Sequence, residues 1–237
     1  MIANLSVGYE NEAYYERALD LANRLSLTIN NESEQRLLVT DKLVLQLKSL
    51  LPLYTDFNRA TWQKRRDAGK KQGLVRACKP VPGLRIIDAT AGWGRDAAIL
   101  ASFGAQVLML ERNPIMAALL EDGLLRQDER SQHALAMSLI QQDAYEYLQS
   151  LSEKDYPDVI YIDPMHPARQ KSALVKKDLQ VLQDLIGEDK DAERLIELAK
   201  SRVLQKVVVK WPQHQPALVK PSSCIEGKTV RFDIYLR

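Results

Sequence analysis

Cysteine is scarce in this chain: Cys78 and Cys224 are the two present in 237 residues, far apart and in no C-x-x-C pair. That scarcity argues against both a metal knuckle and a disulfide framework, so no bound metal is expected and a reducing, cytoplasmic setting fits. The opening Met1-Ile2-Ala3-Asn4-Leu5-Ser6 has no basic head ahead of an apolar run, so it is not read as a signal peptide. No stretch approaches the roughly 20 apolar residues of a membrane span. Internal repeats and low-complexity linkers are also missing. What remains is 46% hydrophobic and 27% charged, the composition of an ordinary globular protein.

The formal net charge of +2 conceals an uneven distribution. Residues 1–56 carry eight acids against five bases, whereas 59–79 carry eight bases against Asp67 alone. Those bases are Arg59, Lys64, Arg65, Arg66, Lys70, Lys71, Arg76 and Lys79. Such a cluster can follow a phosphate backbone or form a solvated helix face. The break at Lys79-Pro80-Val81-Pro82-Gly83 divides the chain. The division reads as a small N-terminal α+β subdomain over 1–58, a basic connecting segment over 59–82, and the main domain over 83–237.

In the first part the spacing predicts a helix over 10–25. Short strands are predicted over Ser26–Asn30, Arg36–Thr40, Leu43–Leu47 and Leu53–Phe57. From Leu84 onward strands and helices alternate. Strands are predicted at Leu84–Asp88, Gln106–Leu110, Leu139–Gln142, Asp158–Ile162 and Lys206–Lys210. Helices are predicted at Arg95–Phe103, Pro114–Arg126, Ala144–Leu151, Leu179–Ile186 and Ala192–Val203. Ser223–Glu226 and Val230–Leu236, joined through Gly227-Lys228, read as a closing hairpin. The alternation implies an α/β, Rossmann-like fold, mostly parallel with a C-terminal antiparallel hairpin. Ligands of such sheets bind beyond the carboxyl ends of the strands, where Asp88, Glu111, Asp143 and Asp163 stand.

Asp163-Pro164-Met165-His166-Pro167 follows the last buried strand run. Two prolines stiffen this loop and leave carbonyls available as acceptors, which with the Asp163 carboxylate suits gripping an amino group. Upstream, Asp88-Ala89-Thr90-Ala91-Gly92-Trp93-Gly94-Arg95-Asp96-Ala97 joins strand to helix, and its glycines let backbone approach a ligand closely. Glu111, 19 residues past Gly92, is placed to accept from ribose hydroxyls, and Asp143 to take an adenine amine or to cap the helix after it. Gly92–Ala97 also matches the dinucleotide fingerprint, so NAD and an oxidoreductase are the alternative. The acid at Asp88 sits close to where a pyrophosphate would lie, which favours a sulfonium cofactor, S-adenosylmethionine.

Together with Met109-Leu110-Glu111-Arg112-Asn113-Pro114, Gln170–Lys177 and Val207-Val208-Val209-Lys210, these motifs resemble the RsmJ family. The resemblance is strong over about residues 53–237 and weaker before them. It implies a class I fold, S-adenosylmethionine as cofactor, and methylation of a guanine N2 in 16S ribosomal RNA of the small subunit. Methylation of an adenine amino group is the nearest alternative. The resemblance also implies cofactor contacts from Gly92, Arg95, Asp96, Glu111, Arg112, Asp143, Ala144 and Asp163. Asp163, Pro164 and His166 would form the catalytic loop. The family has an aromatic residue where His166 stands, and a glycine-rich basic segment where this chain has 64–73. Trp93 and Trp211 read as pocket walls or as core, and Lys171, Lys176, Lys177 and Lys210 as further contacts to RNA phosphates.

Overall fold

Strand residues in the main sheet alternate between two apolar faces, and that alternation sets the layering. The computed structural model describes residues 5–47, 51–164 and 191–237. Within them β4 (Arg85–Asp88), β5 (Gln106–Leu110), β6 (Met137–Ile140), β7 (Val159–Ile162), β8 (Lys206–Pro212), β9 (Ser223–Ile225) and β10 (Val230–Leu236) form one sheet. Its order is β6-β5-β4-β7-β8-β10-β9. Pairing is parallel from β6 to β8, and β10 runs antiparallel to both β8 and β9. Ile86, Val107, Val159, Tyr161 and Val208 join one buried cluster, while Ile87, Ile160, Ile162, Val207 and Val209 join another. A central strand buried on both faces accounts for the continuous apolar runs.

Helices cover both faces. One layer is α2 (Arg59–Asp67), α3 (Gly73–Cys78) and α4 (Arg95–Ser102), which place Trp62, Leu74, Val75, Ala77, Cys78 and Ile99 in the first cluster. The other is α7 (Ala144–Ser150) and α8 (Ala192–Ser201), with Leu148, Leu195, Ile196 and Ala199 in the second. The helix α5 (Pro114–Leu125) begins with proline, and the Asn113 side chain caps it by accepting from Ile115 N at 2.9 Å and Met116 N at 3.2 Å. A short helix, α6 (Glu129–Ala134), lies between α5 and β6 and is capped by Asp128.

The first part of the chain makes its own sheet of β1 (Ser6–Tyr9), β2 (Arg36–Val39) and β3 (Leu43–Gln46). β1 pairs parallel with β2 through the crossover helix α1 (Tyr15–Leu25), and β2 pairs antiparallel with β3. Val7, Leu37, Val39 and Leu45 pack with Ile115, Met116 and Leu119 of α5, so this sheet rests on the main domain. Asp122 of α5 reinforces the contact: it accepts from Leu43 N at 3.0 Å and Arg126 Nε at 2.8 Å, and pairs with Arg17.

Two predicted strands are not formed. Ser26 takes φ 55° as the left-handed cap of α1, and of 26–30 Ile29 alone makes a bridge, to Val7. Likewise 53–57 contributes a single bridge, Leu45 to Leu53, before the chain turns into α2. The strand predicted at 139–142 lies two residues earlier, at 137–140. Strand β1 and helices α2, α3 and α6 were not anticipated. The predicted helix Leu179–Ile186 lies outside the described residues. No helix among those described is long and apolar enough to cross a membrane.

Candidate active site

The chain leaves β4 for β5 on one side and later reaches β7 on the other, so the strand order reverses at β4. Open α/β sheets bind ligands at such a point. A cavity there, with about 620 Å³ of free space counting its open mouth, is lined by Gly92, Glu111, Arg112, Asp143, Ala144, Asp163 and Pro164 among others. All seven are residues singled out from the sequence. Ala89 and Thr90 from the first loop complete one wall, and Asp191, Ala192 and Leu195 from the start of α8 close another side. The α8 contribution was not anticipated, since nothing local in the sequence marks which helix folds back over the cavity.

The loop after β4 is held open by geometry that glycine permits. Gly92 takes φ 52° and Gly94 φ 68°. At Gly94 a Cβ would lie 2.6 Å from Phe57 Cζ, so the loop is also tightly packed from behind. Glu111 is buried at 4% exposure, and its carboxylate accepts from Gly92 N at 3.1 Å and Asn113 N at 2.8 Å. It therefore ties the loop after β4 to the loop after β5. Asp143 caps α7 by accepting from Tyr145 N at 2.9 Å, with Arg112 Nη1 3.7 Å from its other oxygen. Arg112 also reaches Asp191, at 3.6 Å.

Arg95 and Asp96 do not line this cavity. Arg95 borders a separate depression with Tyr54, Thr55, Arg65 and Trp93. Trp93, at 8% exposure, belongs to the core cluster under the N-terminal sheet, and Trp211 donates to Pro216 O at 2.8 Å on the hairpin side. Asp96 points inward. Its Oδ2 accepts from the Tyr161 hydroxyl at 2.6 Å and from Lys210 Nζ at 3.2 Å, and its Oδ1 pairs with Arg65 Nη2 at 2.6 Å. Burial pushes its carboxyl up, but Lys210 and Arg65 outweigh this and hold it well below the usual carboxylate range. Burial and the Asp96 carboxylate push the Tyr161 hydroxyl far above its ordinary range.

Asp163 sits at the cavity mouth. Its backbone N–H donates to Thr90 Oγ1 at 2.6 Å, which ties the β7 loop to the β4 loop. Its Oδ2 lies 2.6 Å from Lys210 Nζ. Beneath it Asp88 is 1% exposed, and burial raises its carboxyl to about 8, further raised by Asp96 and Asp163. Part of the basic segment is likewise turned inward: Arg65 serves Asp96, and Arg66 donates to Ser102 O at 3.0 Å. His166, Lys171, Lys176 and Lys177 lie outside the described residues. Among the described residues no group of His, Cys, Asp and Glu could hold a metal ion.

Residues 20–237 match the family model described as "Putative SAM-dependent methyltransferase". The chain is 57% identical over 232 residues to ribosomal RNA small subunit methyltransferase J of Legionella pneumophila strain Lens, covering 98% of this chain and 96% of that relative. The chain belongs to the methyltransferase J family. The correspondingly named protein of Coxiella burnetii strain Dugway 5J108-111 is 42% identical over 247 residues, with 98% and 96% of the two chains covered. The crystal structure of a SAM-dependent methyltransferase from Neisseria gonorrhoeae superposes with a TM-score of 0.72 at 29% identity, over 98% of this chain and 95% of that one. The Rossmann-like class I sheet read from the sequence is therefore the fold, and S-adenosylmethionine, not NAD, is the family's cofactor. The cavity suits that cofactor. Its acids Glu111, Asp143, Asp163 and Asp191 favour a ligand bearing a sulfonium and an ammonium.

Proposed function

We propose that this chain transfers a methyl group from S-adenosylmethionine to the exocyclic N2 of a guanine in 16S ribosomal RNA of the small subunit. The methyltransferase J family names and the S-adenosylmethionine fold give the reaction class and the ribosomal RNA substrate. The single observation that carries the amine target is the Asp163–Pro164 corner, where a carboxylate and a proline-stiffened carbonyl border the cofactor cavity.

The cofactor would supply an electrophilic methyl group, its S–CH3 bond breaking to leave a neutral thioether as the N–CH3 bond forms, and the surplus N–H proton would pass to water afterwards; the rest is positioning. A guanine amine is a weak nucleophile because its lone pair is delocalised into the ring. Asp163 and the Pro164 carbonyl, accepting from its two N–H bonds, free that lone pair and aim it. Orientation of this kind can lower a barrier by roughly 7–11 kcal/mol. In this reading Glu111 holds the ribose, Asp143, Ala144 and Arg112 border the adenosine end, and Gly92 gives the ligand backbone access. Arg95 and Asp96 then act from behind the cavity wall. His166 would meet the target base. The base must leave its stack, at a cost of a few kcal/mol, and phosphate contacts from the 59–79 segment offset it. The three-part division at 58 and 82 and a cytoplasmic location belong to the same proposal.

The test is methyl transfer by Asp163→Ala, scored with labelled cofactor on extracted 16S RNA, on intact small subunits and on DNA. We expect transfer to the wild-type substrate to disappear while the thermal midpoint is kept. Near-normal turnover of the variant would refute the assignment. Mass spectrometry of the methylated nucleoside separates N2-methylguanine from N6-methyladenine.

A further inference from the structure

We propose that Lys210 is a positioning residue for methyl transfer, holding the Asp163 carboxylate ionised and in one orientation at the mouth of the cofactor cavity. The inference rests on the reading of Asp163 as the group that grips the amine. In the register of the sheet Ile162 pairs with Val209, so Lys210 emerges beside Asp163 at the next step. Its Nζ lies 2.6 Å from Asp163 Oδ2 and 3.2 Å from Asp96 Oδ2. Asp96 is itself fixed by Tyr161 at 2.6 Å and Arg65 at 2.6 Å. The ammonium is thus anchored from below and grips the catalytic loop from the side. A lysine drawn inward by two carboxylates is spent there, and the RNA-phosphate role read from the sequence does not suit it.

Charge explains why such a clamp is needed. Asp88 on β4, Asp96 on α4 and Asp163 beyond β7 crowd one end of the sheet, and all three push the Tyr161 hydroxyl up. Like charges brought close together favour protonation of one member, and a protonated Asp163 accepts less well from an amine. Among the described residues, Lys210 on β8 and Arg65 on α2 are cations paired with this group. With Asp88 neutral, the Asp96 and Asp163 carboxylates each pair with a cation among the described residues. Deleting Lys210 removes a cation from this group and its 2.6 Å hold on Asp163 Oδ2.

The experiment compares Lys210→Met and Lys210→Arg with the wild type, reading kcat, the cofactor KM, the pH profile of kcat and the thermal midpoint. For Lys210→Met we expect kcat to fall about 10–100-fold, the loss of one charge-assisted hydrogen bond to the reacting group. The cofactor KM should stay within about twofold, as for a loss confined to the transition state. The acid limb should move up by about 1–3 pH units, the shift an opposite charge at this range imposes on a carboxyl. Lys210→Arg should restore the limb. If Lys210→Met does not fold, Lys210→Gln takes its place under the same criteria, and a second failure to fold makes the cluster structural and overturns the proposal. An unmoved acid limb also overturns it. Asp163→Ala in the same assay keeps the two readings apart. If that variant is inactive and Lys210→Met is normal, the Lys210 role alone falls. If Asp163→Ala is active, the amine-grip reading falls with it.

Discussion

Replacing Asp88 by asparagine should change how stability depends on pH, in a direction and amount the structure fixes. Asp88 is 1% exposed, and burial raises its carboxyl from 3.8 to about 8. Between those values the unfolded chain has released this proton while the folded chain keeps it. The stabilisation is therefore complete below the unfolded value, declines as pH rises, and is gone above about 8. The slope is about 1.4 kcal/mol per pH unit, so from about pH 5 to about pH 7 the wild type loses about 3 kcal/mol through this group. Asparagine preserves the shape and the acceptor that Thr90 N uses at 3.2 Å, but it carries no proton to lose. Urea unfolding of both proteins at several pH values gives the difference in stability, in which the other titrating groups largely cancel. That difference should narrow or reverse in favour of asparagine by about 3 kcal/mol over the interval. Parallel curves would show that Asp88 is ionised in the folded protein and would refute the charge balance drawn for the site.

Further predictions concern the cavity and its supports. Glu111→Ala should weaken cofactor binding by about 10–100-fold, the loss of a charged hydrogen-bonding group, and leave RNA affinity nearly unchanged; calorimetric titration with each ligand measures both. Gly94→Ala meets a left-handed φ of 68° and a buried Phe57 ring. It should cost about 2–4 kcal/mol by urea unfolding. Asp122→Ala removes the acceptor of Leu43 N, Arg126 and Arg17. Because Arg17 is 47% exposed and can rehydrate, the expected cost is about 2 kcal/mol, read from the thermal midpoint.

Where the sequence was informative, local chemistry and tertiary structure agreed. Asn113-Pro114 marks the start of α5 because both cap and proline act within one turn. The strands Gln106–Leu110 and Val230–Leu236 were legible as β-rich runs bounded by breakers. Arg36–Val39 and Leu43–Gln46 were found for the same reason. Ser6–Tyr9 was missed because its short Ser-Val-Gly-Tyr run has a single aliphatic residue and pairs with a strand far along the chain. In 59–79 the density of charge hid the apolar signal of Leu74, Val75 and Cys78, which a helix brings together on one buried face. The acids at the strand ends were legible individually. Their partners were not, because Lys210 reaches Asp96 and Asp163 only after β8 is laid beside β7. Asp96, a cofactor contact by family resemblance, has its carboxylate engaged by Tyr161, Lys210 and Arg65, partners that only the assembled sheet brings to it.

The outermost position of β1 has a practical corollary. Ser6–Tyr9 shields one side of β2, whose Leu37 and Val39 are fully covered. A shortened protein starting beyond Tyr9 would present that row of amides and carbonyls as an adhesive rim, inviting strand exchange between molecules. Affinity tags and expression designs are better placed at the opposite terminus.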